Sequence, residues 1–197
     1  TYLVPRDKND DNSSYTMADA VFTACFLNAM NRHCDIVGMA NFAPILNTRG
    51  CIYSYKDGVV LRSTYHVFDL YVNHMGDTVL DSWEEGEKNT FTVLDKNGRK
   101  VTVNTLDILA TQHSETEKIS IAVVNKEPDK EKKLEICLDE NSYARYEVQE
   151  YRIVGSSVDS YNDIDRTEVF IEQLPTKETS GVYQVNLAPH SINVIDF

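Results

Sequence analysis

Five histidines and four cysteines are the residues with the widest chemical reach in this chain. His66 and His74 fall in one helical stretch, eight residues apart. Eight residues of helix rise about 12 Å, so the two rings cannot share one ion. No HxH, HxxxH or CxxC spacing occurs, so no metal site is expected. A Cys34–His66 nucleophile pair has no support in the local sequence. The chain also lacks a GxSxG elbow, a P-loop and a GxGxxG turn. The sequence therefore implies no cofactor.

Carboxylates are abundant, but acid/base work needs them on rigid elements. Asp7, Asp10 and Asp11 lie in a polar lead-in, and Glu84 and Glu85 lie in a turn. All five read as solvated charges. The run Arg62-Ser63-Thr64-Tyr65-His66 carries more information. It sits between a short strand and a helix start, where α/β barrels place substrate contacts. Arg62 and Tyr65 there are candidates to hydrogen-bond sugar hydroxyls. The alternative is structural, with Arg62 paired to an acidic neighbour and Tyr65 acting as a helix-start staple.

The elements that must position these residues change character once. Thr16 opens a helix, with Asp19 three residues on as a capping-box partner. Val21, Ala24, Cys25, Asn28 and Ala29 follow at helical spacing, and Phe22, Phe26 and Met30 widen the stripe. A second helix is expected over Asp35 to Phe42, limited by Pro44. A strand over Cys51 to Tyr55 comes next, then a Lys56-Asp57-Gly58 turn, with Val59 to Leu61 extending or pairing with that strand. A third helix starts near Thr64 and ends at Gly76 as a C′ residue. Beyond Gly76, short alternating runs separated by polar turns predict an antiparallel β-sandwich, with Asn97-Gly98 at a hairpin turn.

Composition narrows the function further. The chain has 197 residues, with 19 Lys plus Arg against 31 Asp plus Glu, giving a net charge of −12. No basic footprint for nucleic acid exists, and no apolar run reaches a membrane span. Neither nucleic acid nor a membrane is an expected partner. The four cysteines, Cys25, Cys34, Cys51 and Cys137, form no framework. They read as buried free thiols in a reducing, cytoplasmic compartment. The chain opens at Thr1 without Met or a signal-peptide core, which predicts a piece of something longer.

Three stretches resemble one known family. Tyr15-Thr16-Met17-Ala18-Asp19-Ala20, Leu27-Asn28 and Arg32-His33-Cys34-Asp35-Ile36-Val37-Gly38-Met39-Ala40-Asn41 resemble Y-x-x-x-D-A, L-N and A-D-I-V-K-M-A-N. Those motifs lie late in the barrel of the α-L-arabinofuranosidases of glycoside hydrolase family 51. Cys34 stands for the usual Ala and Gly38 for the Lys. Leu61 to Phe68 is similar to the segment around the last barrel strand and helix. Leu187-Ala188-Pro189-His190-Ser191-Ile192-Asn193-Val194-Ile195 resembles the family's closing strand.

The resemblance implies an α+β chain with two parts. Residues 1–76 would be the remnant of a (β/α)8 catalytic barrel, and 77–197 a jelly-roll-like β-sandwich. It implies a retaining glycosidase that releases terminal α-L-arabinofuranosyl groups, with two glutamates about 5 Å apart. Both glutamates lie upstream of Thr16 in the family, so no catalytic residue carries over. Many members have Arg-Gln-Thr where this chain has Arg62-Ser63-Thr64, and in some the Gln contacts substrate. Arg62, Ser63 and Tyr65 are therefore the expected substrate-binding residues. The expected partners are an arabinose-containing oligosaccharide, the missing barrel portion and further copies in a homo-oligomer.

A truncated barrel would expose helix faces. Residues 16–76 are accordingly expected to be partly disordered, self-associated or folded onto the sandwich. The competing function is a non-catalytic carbohydrate-binding or oligomerisation module. Against it, Trp83 is the one Trp, and Tyr143, Tyr146 and Tyr151 do not share a strand face.

Overall fold

The computed structural model describes residues 12–86, 90–138 and 145–197. The lead-in carboxylates Asp7, Asp10 and Asp11, and Tyr143, lie outside the described residues.

Helix α1 (Met17–Arg32) begins at the expected cap. The backbone N–H and the hydroxyl of Thr16 both donate to the Asp19 carboxylate at 2.8 Å. Two further first-turn amides, on Met17 and Ala18, donate to the carbonyls of Ser160 and Val158 at 2.8 and 3.0 Å. Orphan N–H groups of the helix start are thereby satisfied by a loop 140 residues away in sequence.

No helix forms over Asp35 to Phe42. Only a turn at 33–36 continues α1, and 37–42 are irregular. Ile36 and Met39 are 79% and 77% exposed, so the apolar face of such a helix has nothing to bury against. Without tertiary packing a segment this short does not hold a helix.

Strands β1 (Ile52–Tyr55) and β2 (Gly58–Leu61) form an antiparallel hairpin, with Ile52 opposite Leu61. Helix α2 (Ser63–His74) follows directly. Gly76 does not take the left-handed cap conformation expected of it; the positive-φ glycines are Gly86, Gly98 and Gly181. Its role is close approach, because a Cβ there would run into the Gln112 carbonyl group. Its amide donates to the Thr111 hydroxyl at 2.8 Å.

The rest is antiparallel. The strands are β3 (Thr78–Leu80), β4 (Thr90–Leu94), β5 (Lys100–Asn104), β6 (Leu106–Gln112), β7 (Ile119–Asn125), β8 (Lys132–Cys137) and β9 (Arg145–Val154). They continue as β10 (Phe170–Gln173), β11 (Lys177–Ser180), β12 (Val182–Leu187) and β13 (Ile192–Asp196). The main sheet runs β10-β9-β13-β7-β6-β3, with β11 paired to the other half of β9. Strand β11, with the polar sequence KETS, carries no alternating strand pattern. The β4–β5 hairpin forms as expected and closes at Gly98, with φ 74°.

Both faces of the main sheet are covered, which explains the near-continuous apolar runs of β7 and β13. One set, including Leu109, Ala122, Val124, Ile192 and Val194, packs under Met17, Ala20, Ala24, Val67 and Leu70 of the helices. The alternate set, including Ala110, Ile121, Val123 and Ile195, packs under Ile136, Tyr183, Val185 and Leu187 of the β8–β12 pair. The helices thus fold onto the sandwich.

The cysteines are free, but only Cys51 is buried. Cys25 is half-buried against the sheet, and burial, reinforced by Asp107, pushes its thiol up to about 11. Cys34 and Cys137 are exposed, correcting the expectation of four buried thiols. Cys34 lies past the end of α1 and Cys137 sits at the outward end of β8.

The close approach at Gly76 gives a test. Gly76→Ala is expected to cost about 1–3 kcal/mol in urea unfolding, from overpacking. Gly38→Ala, where a Cβ meets nothing within 4 Å, should change stability by less than about 0.5 kcal/mol.

Candidate functional site

The Leu61–His66 run occupies the corner between β2 and α2, as its spacing predicts. Arg62 is the N-cap residue, in extended conformation, and its amide donates to the Cys51 carbonyl at 3.0 Å. Its side chain is fully buried. Nε donates to Asn12 Oδ1 at 2.7 Å, and Nη1 to the carbonyls of Gly50 and Thr48 at 2.6 and 3.2 Å. The guanidinium lies 4.0 Å from the Tyr15 ring centroid and 5.4 Å from that of Tyr53. A charge held this way is stabilised by carbonyl dipoles and ring faces in place of water.

Ser63 is also fully buried, its hydroxyl within 2.7 and 3.0 Å of the Thr16 and Tyr15 carbonyls. It ties the start of α2 to the start of α1. Tyr65 is half-buried and meets the His66 ring edge-on, 5.7 Å between centroids. Asn162 closes the corner from the 155–169 loop. Its amide group donates to the carbonyls of Leu61 and Val169 at 2.9 and 2.7 Å. It also lies 3.4 Å from His66 Nε2. Burial holds the His66 imidazole below its ordinary 6.5, against the pull of Asp69.

Among the described residues, no group of three or more His, Cys, Asp or Glu side chains could hold a metal ion. His74 instead pairs with Asp196 at 3.0 Å and packs on Tyr151 at 3.9 Å. Glu150 is nearly buried between the layers, and Tyr183 donates to it at 3.2 Å. Burial pushes its carboxyl up, against Lys177. It sits in the interior of the sandwich rather than at the β2–α2 corner.

The structure therefore brings Arg62, Ser63, Tyr65 and His66 together, and adds Asn12, Tyr15 and Asn162. Tyr15 carried a signal only as part of the family motif, and Asn12 and Asn162 carried none, because their destination is set by the tertiary fold.

The model of the α-L-arabinofuranosidase C-terminal domain matches residues 4–191. The chain belongs to that family. It corresponds to the C-terminal part of the glycoside hydrolase family 51 arabinofuranosidases. It is similar to a probable α-L-arabinofuranosidase C of Aspergillus clavatus, 29% identical over 191 residues. That match covers 92% of this chain and 34% of the relative. The structure of the α-L-arabinofuranosidase of Thermotoga maritima, in its arabinose complex, superposes with a TM-score of 0.84 at 26% identity. The thermostable family 51 enzyme of Thermotoga petrophila gives 0.82 at 26% identity. Both comparisons cover 100% of this chain and 41% of the other. This chain thus spans about two-fifths of those structures and about a third of the Aspergillus relative.

Two outcomes are expected at the corner of this family member. Arg62→Met leaves buried carbonyls unpaired and should cost about 3 kcal/mol or more in denaturant unfolding, with Arg62→Lys recovering only part of it. The C2–H resonance of His66 should titrate with a midpoint below 6.5. Because the folded value is depressed, its contribution to stability is present above 6.5 and is lost as pH falls through the folded midpoint.

Proposed function

We propose that this chain is the C-terminal portion of a retaining α-L-arabinofuranosidase, acting on arabinan- or arabinoxylan-type glycans. The match to the family's C-terminal domain over residues 4–191 carries the reading. In this reading residues 1–76 finish a (β/α)8 barrel and 77–197 form the sandwich, the boundary falling between α2 and β3. The two catalytic glutamates belong to the upstream barrel, so this chain alone is inactive.

Exposure supports the barrel assignment. The inward row of α1, Ala20, Ala24 and Leu27, is buried on the sheet. Its outward residues Phe22 and Phe26 are stacked, with 5.9 Å between centroids, and are 68% and 51% exposed. Ile36, Met39, Ile45, Leu46, Val59 and Val72 are also exposed. A helix apolar on both sides is one covered on both sides. The upstream barrel supplies that cover.

Arg62 and Ser63 then act from inside, fixing the backbone at the strand-to-helix corner, while half-buried Tyr65 takes the substrate-facing role. Family kinship also motivates a homo-oligomeric, cytoplasmic enzyme; among the described residues no helix is long and apolar enough to cross a membrane.

The test is hydrolysis of p-nitrophenyl α-L-arabinofuranoside by this chain and by the protein extended upstream through the barrel. The extended protein should release nitrophenol and the chain alone none above background. Turnover by the chain alone, or an extended protein inert on arabinosides, overturns the reading.

A further inference from the structure

Trp83 is the single tryptophan of the chain, and it is 75% exposed. Its indole N–H donates to the Glu85 carboxylate at 3.2 Å. The ring lines a shallow groove of about 240 Å³ with Arg32, Glu84, Asn104 and Asp107.

Two of the groove's charges, Arg32 and Asp107, are paired with each other. Arg32 reaches Asp107 through both ends of its fork, at 3.0 and 3.2 Å, and donates to the Ile108 carbonyl at 3.0 Å. Asn28 donates to the same Asp107 oxygen that accepts from Arg32 Nη1, at 2.9 Å, and Tyr71 donates to Asn28 at 2.7 Å. The pair is therefore anchored to a buried network joining α1, α2 and β6. An anionic ligand would have to draw Arg32 away from Asp107 and so break it. A neutral ligand rich in hydroxyls would not, because each hydroxyl both donates and accepts. It can donate to Asp107 or Glu84 and accept from Arg32 or Asn104. The flat apolar face of a sugar ring is the complement of an exposed indole. The net charge of −12 further disfavours phosphate-bearing ligands.

We propose that the Trp83–Arg32–Asp107 groove binds a residue of a neutral glycan chain, stacked on the indole and hydrogen-bonded to the polar wall. The groove stands on its own geometry, and only the choice of an arabinose-containing glycan rests on the function proposed above.

One tryptophan makes its own reporter. Linear arabinan, arabinoxylan and a soluble β-glucan are each titrated into the chain while indole fluorescence is followed, with retardation in native gels containing the same glycans as a second readout. Arabinan or arabinoxylan should shift the emission and retard the chain. Trp83→Ala should abolish retardation, Trp83→Phe should restore part of it, and Asn104→Ala should weaken binding about ten-fold. Circular dichroism and melting of Trp83→Ala should match the parent, since the residue is exposed. Binding of the β-glucan alone, lost in Trp83→Ala, upholds the groove and counts against arabinose specificity. No shift or retardation with any glycan, or retardation unchanged in Trp83→Ala, overturns the groove and leaves the hydrolysis test untouched.

Discussion

A guanidinium with no exposed surface sets the constraint at the helical end of this molecule. Removing a charge from water costs several kcal/mol unless dipoles replace the solvent. Arg62 obtains them from segments far apart in sequence: Asn12 before α1, the carbonyls of Thr48 and Gly50 before β1, and the rings of Tyr15 and Tyr53. Each partner is useful only if its own segment is in place. The side chain therefore fixes the relation between the lead to α1, the hairpin and the start of α2. Ser63 repeats the constraint one residue later, through the Tyr15 and Thr16 carbonyls.

With that corner fixed, the helices present one face to the sheet. Pleating does the rest. Neighbouring residues of β7 and β13 point to opposite layers, so Ala122 and Val124 meet the helices while Ile121 and Val123 meet the β8–β12 pair. Register between β13 and β7 sets Val194 opposite Ala122 and Ile195 opposite Ile121. A slip of one residue would exchange the two cores. The helical and β parts are thus joined by one sheet that serves both.

Much of this was legible in the sequence. The capping box at Thr16, the hairpin turn at Asn97-Gly98 and the antiparallel character of the chain beyond Gly76 follow from local pattern, because period and turn chemistry are local properties. The failures came where tertiary contact decides. Asp35 to Phe42 has helical composition, yet its apolar residues find no surface. Gly76 carries a cap-like signal, yet its missing side chain makes room for β6. Cys34 and Cys137 are apolar by type, and their exposure follows from where α1 and β8 end. At the candidate site, the position of Arg62 between strand and helix was readable. Its complete burial was not, since nothing near it in sequence names Asn12, Tyr15 or Asn162 as its neighbours.

The surface divides in a way that separates two kinds of exposed apolar residue. Phe22, Phe26 and Val72 lie on the outward sides of helices whose inward sides are already packed, and Ile36, Met39, Ile45 and Leu46 lie on an exposed loop. In the reading proposed above they are covered by more protein. Trp83 is different. It stands beside a charged pair already satisfied within the fold, next to carboxylate and amide groups that face solvent. A protein surface docking there would have to desolvate those groups, at a cost its own apolar side chains could not offset. A hydroxylated ligand keeps them hydrogen-bonded while covering the indole. In the proposed reading, apolar exposure is met by a barrel at one site and by a small polar ligand at the other. The chemistry of the neighbouring side chains is what distinguishes them.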